Sequence, residues 1–426
     1  MKISIFWFRR DLRLKDNTAL NHALKSGLAV LPVFIFDDHI LEDLPPDDAR
    51  VSFIYFALVN INAELNRAGS SIKIYKGKPT EVWKRIIEEF SVSKVFVNKD
   101  YEPYATERDY QISTFLKNNG IEIHFYKDQV IFEENDILKM DGTPYTVFTP
   151  YKNKWREQFD SLESTPNEDL NKRAFVQKTH DFPSLSEIGF NPSTLTVRTY
   201  DLSNLDNYGI FRNFPAEDVT SRLGPHLRFG TVSIRQVIHQ LTPNHSVFLD
   251  ELIWREFFMQ IIYHFPHVVN SNFHSKYDRL EWRNQPDEFK SWCEGRTGYP
   301  LVDAGMRQLN ATGFMHNRVR MVTASFLCKH LLIDWKWGEA YFAAKLLDYE
   351  LASNNGNWQW AAGTGCDAAP YFRIFNPAEQ VKKFDKDLKY IKQWVQEYGT
   401  SNYPDPMVEH QEARKRALMT YGKINL

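Results

Sequence analysis

Residues 348–377 read DYELASNNGNWQWAAGTGCDAAPYFRIFNP, and no other stretch of this 426-residue chain gathers as many groups that could do chemistry. Two indoles, Trp358 and Trp360, stand beside paired amides, Asn354 and Asn355. Glycines follow, then an aromatic–arginine–aromatic run. Wide π faces, hydrogen-bonding amides and bendable backbone suit a site that holds one flat heterocycle and stacks another.

Three further segments carry candidate groups. Tyr208 precedes a run of Thr220, Ser221, Arg222, Leu223 and Gly224, with Pro225 and His226 behind it. Small hydroxyls, a glycine and a proline at a helix start would present backbone N–H donors to a pyrophosphate. Taken alone, a plainly capped helix accounts for them better. On a helix Glu251, Trp254 and Arg255 would share one face, being three and four residues apart. That is a recognition face as readily as a salt-bridged surface. Between residues 301 and 330 four cations, Arg307, Arg318, Arg320 and Lys329, face one acid, Asp303. Such a patch suits phosphate contact, though a solvated helix face explains it too.

These groups need a scaffold, and the bulk properties bound it. A chain of 426 residues exceeds what one core usually serves, which predicts two domains. With 43% hydrophobic and 25% charged residues it reads as a soluble globular protein. Net charge is −2, so any nucleic-acid binding must come from a local patch. Eight of the eleven tryptophans lie after residue 250, which places stacking or electron-transfer chemistry in that half. Cys293, Cys328 and Cys366 show no metal-ligand or redox spacing, so no metal is expected and a reducing cytoplasm fits. Arg9, Arg10 and Arg13 follow the opening apolar run at once, unlike a signal peptide, and no apolar run is long enough for a bilayer.

Short β-branched or aromatic runs at residues 3–8, 29–36, 72–75, 94–98 and 121–126 alternate with helical patterns, one of them over 53–68 and ending at Gly69. That alternation predicts a Rossmann-like α/β domain over residues 1–130, a parallel sheet with helices on both faces. No G-x-G-x-x-G follows the first strand, so the usual dinucleotide fingerprint is missing. Residues 131–200, with Pro144, Pro150, Pro166, Pro183 and Pro192, read as a connector. From 201 to 426 helical periodicity takes over, which predicts an all-α second domain.

In this order and at these separations, the segments resemble those of the DNA photolyase and cryptochrome family, and the run WFRRDLR from Trp7 resembles its opening strand and loop. The match covers almost the whole chain and is similar above all to class I cyclobutane pyrimidine dimer photolyases. The resemblance implies a light-driven lyase that repairs UV-damaged DNA, in which excited, reduced FAD lends an electron to the dimer. The dimer leaves the duplex stack to meet it, as in base flipping. It implies FAD contacts from Tyr208, Thr220, Ser221, Arg222, Leu223, Gly224, Arg255, Asn317, Arg320, Asp348, Glu350 and Asn354. Gly224 stands where the family carries a serine, so only its backbone N–H could serve. Asn354 would sit near the flavin N5, where plant-type cryptochromes are expected to have an aspartate. Glu251 and Asn317 would bond the dimer, Met321 would pack on it, and Trp254 and Trp360 would flank it. Trp358, Trp335 and Trp282 match the family's electron-transfer chain, and Arg318 and Arg373 are the expected phosphate contacts.

The related 6-4 photolyases are expected to place histidines where this chain has Asn317 and Met321, so the lesion implied is the cyclobutane dimer. Trp360, usually lacking in single-strand-preferring cryptochromes, favours duplex repair. The alternative is a cryptochrome-type blue-light photoreceptor without repair; no long tail follows the family-like segment 408–414, which favours the lyase. A dark flavin oxidoreductase fits poorly, because no acid–base set or nicotinamide motif is visible. The α/β domain of the family often holds an antenna chromophore. The loop 98–108 and Val269 with Asn270 depart from the folate-binding pattern, leaving folate, deazaflavin, a second flavin or none open. A monomer without an obligate protein partner is the family default.

Overall fold

The computed structural model describes residues 2–160, 166 and 171–425. By contacts the chain forms two compact units whose segments interleave. One comprises residues 1–137, 155–200 and 222–242; the other comprises 138–154, 201–221 and 243–426.

The first unit carries a five-stranded sheet of β1 (Ile3–Phe8), β2 (Ala29–Asp37), β3 (Lys73–Gly77), β4 (Val92–Asn98) and β5 (Glu122–Tyr126). Every pairing is parallel and the order is β3-β2-β1-β4-β5, so the expected α/β fold is present. β1 is buried at all six positions, which is why it reads as an unbroken apolar run: a central parallel strand has both faces covered. The helices Thr18–Leu24, Ala49–Asn66, Pro79–Glu89 and Pro103–Asn118 supply that cover. The second of these starts at residue 49, not 53, because Asp48 caps it by accepting the Arg50 backbone N–H at 2.8 Å. A local cap thus outweighed the apolar periodicity.

The arginines of the opening loop are spent on internal ion pairs. Arg9 meets Asp109, Arg10 meets Asp100 and Glu102, and Arg13 meets Asp128. Burial alone would raise the Asp128 carboxyl, but Arg13 and Arg235 together hold it down at about 2. Among the described residues of the stretch 131–200, expected as a connector, the one α-helix is Phe148–Phe159; residues 161–165 and 167–170 lie outside the described ones.

The second unit is helical throughout its described elements. Ser246–His264 and Trp335–Lys345 both pack on Leu351–Ala362, and two glycines set how closely. A Cβ on Gly356 would run into the ring of Phe258, and one on Gly338 into the ring of Trp358. The helix Asn317–Ser325 continues into a π-helical turn, Phe326–His330, which buries Lys329 and His330. Lys329 donates to the Ala362 carbonyl at 2.7 Å and sits 3.6 Å from the ring centroid of Tyr421, while burial pulls its ammonium down to about 7. No helix is long and apolar enough to cross a membrane among the described residues.

Candidate functional site

A cleft opens in the helical unit where Asn317–Ser325 and the loop ending at Glu350 meet the helix Leu351–Ala362. Eight of the expected residues line it: Asn317, Arg320, Met321, Asp348, Glu350, Asn354, Trp358 and Trp360. Helical spacing explains the convergence. Asn317, Arg320 and Met321 are three and four apart, as are Asn354, Trp358 and Ala361, so each set shares one face.

The charged groups of the cleft are held in pairs. Arg320 donates to Asp348 at 2.9 Å and to the Met315 carbonyl at 2.7 Å. Arg255, outside the lining, reaches it by donating to Glu350 at 3.1 Å, with both side chains largely buried. Ser353 donates to the other Glu350 oxygen at 3.0 Å. Asn354 is fixed by a residue that sequence reading missed. Its amide donates to the side chain of Glu339 at 2.8 Å and to the Glu339 carbonyl at 3.2 Å. Burial raises the Glu339 carboxyl, and the Asn354 bond only partly offsets it. The amide oxygen of Asn354 is thereby aimed by a half-buried carboxyl group on the neighbouring helix.

Two buried oxygens near the expected cofactor contacts have no partner among the described residues: Oδ1 of Asp348 and Oγ1 of Thr220. Buried polar atoms are rarely left unpaired. A ligand with hydrogen-bonding groups at both places would satisfy them, and FAD carries a polar ring edge and a pyrophosphate. The residues present therefore fit that cofactor. Arg222 adopts a left-handed backbone with φ +54°, an uncommon conformation for a non-glycine residue, and Gly224 opens the short helix Gly224–Phe229. The run 220–224 spans the end of a segment of one unit and the start of a segment of the other.

Glu251, Trp254 and Arg255 do share a face of Ser246–His264, but each has its own partner. Arg212, another residue that sequence reading missed, donates to Glu251 at 2.7 Å and lies over the ring of Tyr208 at 5.2 Å. Burial raises the Glu251 carboxyl against the pull of Arg212, and burial with the nearby Glu251 pushes the Tyr208 phenol up to about 12. Trp254 is stacked on Phe148, with centroids 3.7 Å apart and planes 9° off parallel, so one of its faces is already taken. Arg212 was legible, standing four residues after Tyr208; Phe148 was not, since nothing local ties it to Trp254.

Removing Arg212 gives a directional expectation. With Arg212→Met the Glu251 carboxyl loses its main opposing charge and rises further. Any binding that needs Glu251 ionised will then weaken at a higher pH than in wild type. The pH midpoint of such binding measures this; an unmoved midpoint refutes the coupling.

Trp358 and Trp335 are buried and Trp282 half-buried, all in or against one apolar cluster. Trp335 donates its indole N–H to Asn272 at 2.9 Å. Trp358 has Phe342 and Trp292 as its ring neighbours, at 5.0 and 6.1 Å. Arg318 half-buries over Phe384 at 4.5 Å, and Arg373 is exposed on the loop that follows Trp360.

The chain combines a parallel α/β unit with a helical unit whose cleft is walled by amides and indoles. Residues 248–400 match the family model for the FAD binding domain of DNA photolyase, and residues 4–170 match that for DNA photolyase. The deoxyribodipyrimidine photo-lyase of Escherichia coli is 37% identical, over 99% of this chain and 98% of that protein. The enzyme of the same name from Synechococcus is 34% identical, over 99% and 96%. Among solved structures, a bacterial class III photolyase from Agrobacterium tumefaciens superposes with a TM-score of 0.89 at 34% identity, covering 100% of this chain and 98% of that one. An archaeal photolyase from Sulfolobus tokodaii, solved with two FAD molecules, gives 0.84 at 35% identity, covering 99% and 100%. A Synechocystis cryptochrome at 24% identity, TM-score 0.83, with 99% of each chain covered, shares the fold. This chain belongs to the DNA photolyase family. It is a photo-lyase enzyme with an FAD-binding domain, and its family acts in DNA repair.

Proposed function

We propose that this protein reverses cyclobutane pyrimidine dimers in DNA under blue light. The observation that carries this reading is the composition of the cleft. Its lining contains amides, a thioether, indoles and two ion-paired acids, and no histidine. Asn317 and Met321 can bond and pack a dimer but cannot move the proton that 6-4 chemistry requires. The chemistry FAD supplies when bound is one light-excited electron, lent to the dimer and returned after ring opening.

The chain's own residues bind and place. In this reading Arg320 with Asp348, Arg255 with Glu350, Asn317, and Asn354 backed by Glu339 hold the flavin. Tyr208 and the segment Thr220, Ser221, Arg222, Leu223 and Gly224 hold its phosphates. Glu251 accepts from a pyrimidine N–H, the free face of Trp254 and the ring of Trp360 flank the dimer, and Met321 packs on it. Trp358, Trp335 and Trp282 relay electrons inward, from a half-buried indole to buried ones. Arg318 and Arg373 take phosphates. Residues 1–130 serve as the antenna domain, 131–200 as connector and 201–426 as the catalytic domain, in a cytoplasmic monomer.

The test is to mix purified, reduced protein with thymine-dimer DNA and with 6-4 photoproduct DNA, in blue light and in the dark. Restored thymines from the dimer, in light alone, are expected. Flavin present but no repair of the dimer overturns the lyase reading and favours the photoreceptor. Chromatography of chromophores released on denaturation identifies an antenna, be it folate, deazaflavin or a second flavin.

A further inference from the structure

Of Trp282, Trp335 and Trp358, Trp282 is the one that is not fully buried. It packs on the apolar cluster of Tyr277, Leu280, Leu332, Ala417 and Tyr421, and meets the Tyr421 ring edge-on at 6.2 Å. That cluster joins the short turn Ser275–Arg279 to the helix His410–Asn425. Whatever approaches Trp282 from solvent therefore meets the charges those elements carry.

Two guanidiniums hang on one stretch of backbone beside it. Arg283, next in the chain, donates to the Leu331 carbonyl at 3.1 Å and to both oxygens of Glu288 at 2.7 and 2.9 Å. Arg416 donates to the preceding carbonyl, that of His330, at 2.6 Å. This is its one hydrogen bond among the described residues, and no carboxylate there pairs with it. Burial first, and the charge of Arg283 second, hold the Arg416 guanidinium below its usual range, with Glu288 opposing. Arg279, three residues before Trp282, is exposed and has no carboxylate partner among the described residues. The nearby acids are engaged. Asp278 accepts the backbone and side-chain N–H groups of Asn272 at 3.0 and 2.7 Å, and Glu281 pairs with Lys423 at 3.3 Å. The surplus charge beside Trp282 is thus positive but confined to a few groups between acids. Such a spot fits a small anion better than the broad acidic face of a protein.

We propose that Arg283, Arg416 and Arg279 draw a small anionic one-electron donor, an enediolate such as ascorbate, to Trp282 at the surface. The inference rests on the reading of Trp282 as the outer end of the electron relay. Once Trp282 has passed an electron inward, its radical cation releases the indole proton to solvent. The donor monoanion then returns one electron and one proton. Neutral Trp282 is restored and the donor leaves as its radical anion, so atoms and charge balance. The same cations disfavour a further positive charge on the indole, which promotes that proton loss.

The test is flash photolysis of the oxidised holoprotein, following decay of the tryptophan radical as donor is added. Ascorbate, an anion at neutral pH, is compared with dithiothreitol, whose thiols are uncharged there. In R416Q the second-order rate constant for ascorbate is expected to fall about threefold, the effect of one unit charge at roughly 7 Å in water. That for dithiothreitol should stay unchanged. R279Q, on a separate element, should lower the ascorbate rate too, and R416K should keep it. Added salt should slow ascorbate and spare dithiothreitol. An equal ratio of the two rate constants in wild type, R416Q and R279Q overturns the anion site while leaving the relay intact. A loss shared by both donors does the same, since it marks a disturbed indole rather than a missing charge. A radical signal that persists unchanged in W282F overturns the relay reading and this inference with it.

Discussion

Gly338→Ala is expected to disrupt the helical unit and empty its cleft of flavin, at a cost of about 3 kcal/mol or more. The added Cβ would sit 2.5 Å from Cζ3 of Trp358 and 2.6 Å from Cδ2 of Leu327, with the Trp358 ring edge closer still. Both neighbours are buried, so neither can swing away into solvent. The helices Trp335–Lys345 and Leu351–Ala362 must therefore separate. That separation also moves Glu339 off Asn354, because the two helices carry one partner each. Gly422 provides the control. It lies in the helix His410–Asn425 with no atom within 4 Å of an added Cβ, so Gly422→Ala should stabilise by about 0.5–1 kcal/mol through helix propensity. Urea titration followed by tryptophan fluorescence, with flavin absorbance per chain, reads both variants. The packing account is wrong if G338A keeps its flavin and unfolds within 1 kcal/mol of wild type, as roughly the smallest cost overpacking carries.

Acid is expected to destabilise the same unit through His330. This imidazole is buried, stacks on Phe326 at 4.8 Å, lies near Tyr299, and shares a 2.9 Å hydrogen bond with a ring nitrogen of His410. Arg416 donates to its backbone carbonyl, adding another cation nearby. Burial, then the proximity of His410 and Arg416, lowers it from 6.5 to about 3. The folded state therefore binds fewer protons than the unfolded one at pH values between these two. Its contribution is fully present above the unfolded value and is lost as pH falls from 6.5 toward 3. At about 1.4 kcal/mol per pH interval, this amounts to roughly 2 kcal/mol by pH 5 and about 4 kcal/mol by pH 3. Against a net stability of roughly 5–15 kcal/mol, that is enough to matter. Unfolding at about pH 7 and pH 5 should show a drop in wild type that His330→Gln lacks. Equal drops in both proteins would assign the acid lability elsewhere.

Much of this molecule was legible before its structure because the signals are local. Strand–helix alternation over the first 130 residues follows from period and residue type, and the parallel pairing of the sheet follows from that alternation, whereas its order β3-β2-β1-β4-β5 emerges only in the fold. Helical spacing likewise brought Asn317, Arg320 and Met321 to one wall of the cleft, and Asn354 and Trp358 to another. The run 348–377 stood out by composition, and Asp348, Asn354, Trp358 and Trp360 from it line the cleft. What sequence could not supply were partners that meet only through packing between elements. Glu339 under Asn354, Phe148 on Trp254 and Arg318 over Phe384 each join separate helices. Their geometry depends on how closely those helices approach, which Gly338 and Gly356 permit but no local pattern encodes. The sequence by itself determined which chemical groups are present and on which element each is carried. Tertiary structure alone decided which charges are paired and which ring faces are covered, because burial and distance set those energies.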